Sequence, residues 1–162
     1  MNKITIRGFN PSKDSEAIYQ ITKDSWTPIY NHRKREMDLD IFHSIYKDGP
    51  FNKANNVLDW CIKNPSNVAI SEIEGSVVGF ITWEEANKDT VELSNNAVAP
   101  KEHRQGIASF MYTWFLEEMK NRGYLYTFVF TGLDSEHEPC RRAYEKVGFT
   151  MPVELVRYYK KL

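Results

Sequence analysis

The chain has 162 residues, 41% of them hydrophobic and 14% aromatic, which suits one folded domain over 1–162 with a real core and leaves little room for two. With 21 Lys and Arg against 22 Asp and Glu the formal net charge is -1, so no basic excess points to nucleic acid as a partner. The opening MNKITIRGFN lacks the apolar run of a signal peptide and no stretch reaches the ~18 apolar residues of a membrane span, so a cytoplasmic protein with no membrane partner is expected.

Lys3 to Gly8 alternates like a strand, and Pro11 to Trp26 reads as a helix that Pro28 closes. Arg33 to Ile62 reads as helix in two pieces, broken by KDGP at Lys47 to Pro50. The basic run His32 to Arg35 is followed by Glu36 and Asp38 and reads as a solvated face. Asn67 to Glu72 and Ser76 to Glu84 form a strand pair about the turn Glu74-Gly75, and Thr90 to Val98 is the next strand. Ile107 to Arg122 is a helix with the apolar stripe Ile107, Phe110, Met111, Trp114, Phe115 and Met119, stopped by Gly123. Tyr124 to Thr131 is a strand, parallel to 90–98 because a helical crossover joins them. Ser135 to Val147 is a last helix, and Val153 to Lys160 a last strand. The expected fold is α/β: a mixed, mostly antiparallel sheet of six or seven strands flanked by helices. Asn95 and Asn96 are unusual neighbours in a central strand. A bulge there would splay two parallel central strands into a V-shaped slot.

Chemistry concentrates in EHRQGIASF, 102–110, a turn from strand to helix. A helix N-terminus carries unpaired N–H groups and partial positive charge. Small residues at Gly106, Ala108 and Ser109 would let a phosphate come close to those groups. The plainer reading is a tight turn that only permits close helix–sheet packing. Neither a Walker loop nor a three-glycine dinucleotide fingerprint is present. The four histidines and two cysteines show no metal spacing, so no metal is expected.

His103-Arg104-Gln105-Gly106-Ile107-Ala108 after AVAP, with HEPCRRAYEKVGF at 137–149 and VAISEIEGSVVGFITW before both, resembles the GNAT superfamily of N-acetyltransferases across about residues 68–150. The resemblance implies a single domain that moves an acetyl group from acetyl-CoA, as co-substrate, to a primary amine by direct attack. It places a general-base glutamate at Glu92 and a general-acid tyrosine at Tyr144. The competing readings are a solvent-facing strand residue for Glu92 and a packing residue for Tyr144. It assigns the cofactor arm to Ala97, Val98, His137 and Cys140, with the Val98 N–H polarising the thioester carbonyl. It assigns the pyrophosphate to the N–H groups of Arg104, Gln105, Gly106, Ile107, Ala108 and Ser109. Trp26 and Tyr30, bordering the loop after the first helix, would wall the acceptor site. His103 and His137 depart from the family pattern, which has Gln or Arg at the first position and Asn at the second. A Cys140–His137 pair is imaginable, although a space-filling thiol is the plainer reading. The implied partner is a small-molecule or peptide amine, with a homodimer left open. Two rival readings stand beside this one: a non-catalytic acyl-CoA sensor with the same fold, and a nucleotide-binding interaction protein.

Overall fold

Five strands form one sheet in chain order: β1 (Ile4–Gly8), β2 (Val68–Ile73), β3 (Ser76–Asn87), β4 (Thr90–Val98) and β5 (Tyr126–Val129). The computed structural model describes residues 3–162. Neighbours from β1 to β4 are antiparallel. Glu74 and Gly75 take left-handed angles in the β2–β3 turn (φ 50° and 78°). α4 (Ile107–Asn121) carries the chain from β4 to β5, so those two strands run parallel.

Each sheet face is covered by its own helices. Val91 and Leu93 of β4 pack with Ile107, Met111, Tyr112 and Phe115 of α4 and with Tyr144 of α5 (Glu138–Lys146). Phe80, Ile70 and Ala97 pack on the other face against Ile18 and Ile21 of α1 (Pro11–Glu36) and Val57 and Cys61 of α3 (Gly49–Lys63). Gly79 lets α4 lie close: a Cβ there would meet the Ala97 carbonyl at 2.8 Å and the Met111 sulfur at 3.0 Å. Arg7 ties α1 to the sheet, donating twice to the buried Asp14 at 2.7 Å and once to Glu72 at 2.6 Å.

β4 carries the bulge expected at its paired asparagines. The register passes from Ile81 opposite Asn96 to Trp83 opposite Leu93, so Ser94 and Asn95 together face Thr82. The Asn95 N–H donates to Thr82 Oγ1 at 2.8 Å rather than to a carbonyl. The extra residue flips the alternation. Ser94 reaches Glu84 and Asn95 reaches Lys53 on the α1/α3 side, while Asn96 turns to the α4/α5 side and meets Tyr112 and Tyr144. Pairing between β4 and β5 stops at Leu93–Val129, leaving the rest of β4 with a free edge.

Four expectations need correction. Pro28 does not close the first helix: α1 runs on through it to Glu36. Proline removes one i→i−4 bond, but the buried Ile29 beyond it holds the helix to its packing partners. The second helical region divides differently. α2 (Leu39–Ile45) stands alone, and Gly49 and Pro50 open α3 rather than break a helix. Phe110 lies 42% exposed, outside the stripe, and Tyr112 takes its place in the core. Finally, residues 153–160 form no strand, so the sheet has five strands and β5 is its edge. A strand exists only where a ladder holds it, and this segment is held instead by α2 and its end. The Tyr159 and Tyr46 hydroxyls lie 2.9 Å apart, and Lys161 pairs with Asp40.

Candidate active site

Arg104 and Gly106 both take left-handed backbone angles (φ 65° and 79°), while Gln105 between them does not. Such alternation turns successive N–H groups to one side and forms a concave anion seat. Gly106 is the N-cap of α4 and offers no side chain to its first N–H groups. Among the described residues, the N–H groups of Arg104 to Ser109 meet no acceptor; the helix ladder begins with Phe110 N–H on the Gly106 carbonyl at 3.0 Å. A Cβ at Gly106 would meet nothing within 4 Å, so the space before the turn is open. Ile107, buried in the core, fixes where the helix starts. These features fit a pyrophosphate, which needs several N–H donors and room to approach.

The free edge of β4 begins beside this turn. The Ala99 N–H bonds back to Val78 at 2.8 Å. By the alternation of an antiparallel ladder, Val98 then points its N–H and carbonyl away from β3. His103 Nε2 lies 3.0 Å from that carbonyl, and Ser25 Oγ donates to it at 3.4 Å. The Val98 N–H finds no strand opposite it. His103, a departure from the family pattern, therefore braces the end of β4 against the turn. Ala97 pairs with Phe80, and its methyl group is buried on the α1/α3 side rather than in the slot.

Across the slot stands α5. The Tyr144 ring is buried, 4.8 Å from the Tyr112 ring. Tyr112 donates to Asn96 Oδ1 at 2.7 Å, and Asn96 Nδ2 donates to the Tyr144 hydroxyl at 3.1 Å. The Tyr144 hydroxyl can also donate to Asn96 Oδ1, at 3.2 Å and in competition with the shorter bond from Tyr112; when it accepts from Nδ2 instead, its own proton is free to donate elsewhere. Burial, then the neighbouring Cys140, pushes the Tyr144 hydroxyl up to about 12; burial first, then Tyr144, raises Tyr112 well above its ordinary value. Cys140 makes no pair with the His137 ring. Its thiol donates to the His137 carbonyl at 2.9 Å, and the ring Nδ1 faces Asp134 at 2.7 Å. Burial raises the Cys140 thiol, which opposes a thiolate.

Glu92 lies on the α1/α3 face, opposite Glu84 on β3. Burial, and then the Glu84 charge, raises its carboxyl above the ordinary range. Trp26 and Tyr30 are on α1 itself and not beside a loop, because the helix continues past Pro28. Trp26 lies under Lys53 Nζ, 5.1 Å from the ring centroid, and Tyr30 packs edge-on against Tyr46. A cavity of about 600 Å³ between α1, α2 and α3 shares Tyr30 but touches neither β4 nor the start of α4. The candidate groups therefore converge at the free edge of β4 and the start of α4, away from this cavity.

Three residues escaped the sequence reading: Tyr112, Lys53 and the bracing role of His103. For Tyr112 a signal existed, since it stands three residues before Phe115 and seven before Met119, in helical register with both. Among the described residues no three His, Cys, Asp or Glu side chains gather as a metal site, and no helix is long and apolar enough to cross a membrane.

The model of the acetyltransferase (GNAT) family matches residues 16–149. Solved structures share the fold. Ard1 from Thermoplasma volcanium superposes with a TM-score of 0.69 at 24% identity, over 93% of this chain and 84% of that one. The PaiA N-acetyltransferase from Thermoplasma acidophilum, in complex with coenzyme A, gives 0.71 at 18% identity, over 93% and 91%. YncA from Salmonella typhimurium, with its cofactor acetyl-CoA, gives 0.61 at 22% identity, over 94% and 82%. No curated protein matches the sequence.

Proposed function

This chain belongs to the GNAT acetyltransferase family, and from that premise we propose that it moves an acetyl group from acetyl-CoA to a primary amine by direct attack. The observation that carries the reading is the run of unpartnered N–H groups from Arg104 to Ser109. It lies beside the freed edge of β4, with Tyr144 across the slot.

Each residue then has one task. The N–H groups of Arg104 to Ser109 hold the pyrophosphate, and the helix start favours its charge. The Val98 N–H donates to the thioester carbonyl and stabilises the oxyanion that attack creates. Glu92, its carboxyl raised by burial and Glu84, takes a proton from the incoming ammonium directly or through water. The freed amine forms the new C–N bond, and the C–S bond breaks as the oxyanion collapses. Tyr144 gives its proton to the departing sulfur, and the amine's second proton leaves to restore the tyrosine. Asn96, anchored by Tyr112, turns the Tyr144 proton into the slot. The Thermoplasma and Salmonella neighbours that carry coenzyme A or acetyl-CoA support this choice of donor.

The test is an acceptor screen with acetyl-CoA, read by thiol release. Amine-dependent release of CoA thiol, lost in Tyr144→Phe, is expected. Tight CoA binding with no release across the panel would favour a non-catalytic sensor, and preference for ATP over CoA in competition would favour a nucleotide-binding protein.

A further inference from the structure

Two cations stand on the helices of the α1/α3 side of the slot, each against aromatic rings, and neither has a carboxylate partner among the described residues. Lys53 on α3 is half-buried. Its Nζ donates to Asn95 Oδ1 at 2.6 Å and lies over the Trp26 ring. Arg33 on α1 stacks over Tyr46 and Tyr30, its guanidinium carbon 5.2 and 5.9 Å from their ring centroids. Among the described residues no Asp or Glu lies within ion-pair distance of either. Burial, and then the Arg33 charge, makes it harder for Lys53 to hold its proton. Half-buried like charges without a carboxylate partner are unfavourable unless an anion joins them, so the two side chains carry unbalanced positive charge.

The position of Lys53 gives that unbalanced charge a meaning. The β4 bulge puts Asn95 on the same sheet face as Glu92, three residues along the strand, roughly 10 Å away at the rise of extended chain. Asn95 also adjoins Asn96, which holds Tyr144. One face thus presents a carboxylate suited to an ammonium and, farther along, two cations suited to an anion.

We infer that the acceptor is bipolar: it carries the reacting amine and, several bonds away, a carboxylate or phosphate that docks on Lys53 and Arg33. The inference rests on the acetyltransferase reading. It narrows the open set of acceptors toward amines that bear an anionic group and away from purely cationic polyamines.

The test pairs each amine with its uncharged twin: short and long linear amino acids beside their carboxamides, and phosphoethanolamine beside ethanolamine. The full-length protein, loaded with CoA or acetyl-CoA, is assayed for thiol release and for ligand binding by calorimetry. The anionic member of at least one pair should be favoured about tenfold or more in kcat/KM or in affinity, as a charge-assisted hydrogen bond provides. In Lys53→Met that ratio should fall to within about twofold, and Lys53→Arg should keep part of it. CoA affinity should be the same in all three proteins. Which pairs discriminate separates carboxylate from phosphate acceptors. The inference is overturned if the uncharged members do as well in the wild type, if Lys53→Met keeps the ratio, or if Lys53→Met instead weakens CoA, which would make Lys53 part of the donor site. Selective anion binding with no thiol release from any amine would uphold the anion site and sink the acetyltransferase reading.

Discussion

On the α4 side of the slot the groups proposed to work are backbone N–H groups and two buried tyrosines; on the α1 side they are long side chains from two helices and a tail with little regular structure. The first wall is set by packing. Ile107 and Tyr144 lie in one core cluster, and the left-handed turn at Arg104 and Gly106 is fixed between a strand and a buried helix start. The second wall is looser. Tyr46 is held by an exposed hydrogen bond between its hydroxyl and that of Tyr159, and Phe51 at the start of α3 lies 55% exposed. A donor shared across a family suits the rigid wall, and an acceptor particular to one member suits the wall whose side chains can change without disturbing the core.

The largest effect should fall on the rigid side. Tyr144→Phe should lower kcat ~10²-fold with CoA affinity nearly unchanged, because only the proton donor is lost. With its hydroxyl raised to about 12, Tyr144 should also stay protonated through the working range, so the wild-type rate should show no basic limb near the ordinary tyrosine value. A mutant with wild-type kcat where chemistry limits the rate would leave Tyr144 a packing residue.

Next comes the anion seat. Gly106→Glu adds a like charge and forces a side chain into a left-handed conformation, so CoA affinity should fall about tenfold or more. Calorimetry that finds equal affinity in a folded mutant would move the donor elsewhere.

Glu92→Gln should reduce kcat/KM about tenfold at neutral pH, below the ~10²-fold that a general base commonly supplies because water can take over part of the role, and less at high pH where the amine is already free. The base acts as carboxylate, so the wild-type rate should fall as pH drops through a pKa above the usual ~4.3. Glu84→Gln removes the like charge opposite and should move that limb to lower pH. Profiles that differ only by a constant factor would exclude Glu92 as the base.

The smallest effects test the contrast itself. Tyr112→Phe removes the competing donor to Asn96 Oδ1 and leaves that oxygen to the Tyr144 proton, so kcat should drop about threefold to tenfold, the value of roughly one hydrogen bond. Tyr159→Phe removes an exposed bond on the looser wall and should change acceptor KM by about twofold at most, leaving kcat and CoA affinity alone. If Tyr159→Phe matched Tyr112→Phe in kcat, the division into a rigid and a looser wall would fail.

The rigid wall was also the legible one. Gly106, Ala108 and the AYEKVGF ending are local signals whose spacing follows the backbone. Asn95 and Asn96 announced the bulge because two adjacent polar residues do not suit a central strand. Pro28 misled, since loss of one helical bond is outweighed when the residues beyond it are buried, and burial is a tertiary fact. Residues 153–160 alternate as a strand does, but alternation gives no information on whether an edge is there to receive them. Lys53 and Arg33 lie twenty residues apart on separate helices, and only the fold brings Lys53 to Asn95 and Arg33 to the Tyr30 and Tyr46 rings.

Amide hydrogen exchange with and without CoA tests the central claim most directly. Among the described residues the N–H groups of Arg104 to Ser109 meet no acceptor and the Val98 N–H has no strand opposite it, and the donor should supply the missing acceptors. CoA should slow exchange at those amides by about tenfold or more, while Tyr30 to Lys34 around the α1–α3 cavity stay unchanged. Protection in that cavity, with none at 104–109, would contradict the assignment of the slot as the donor site.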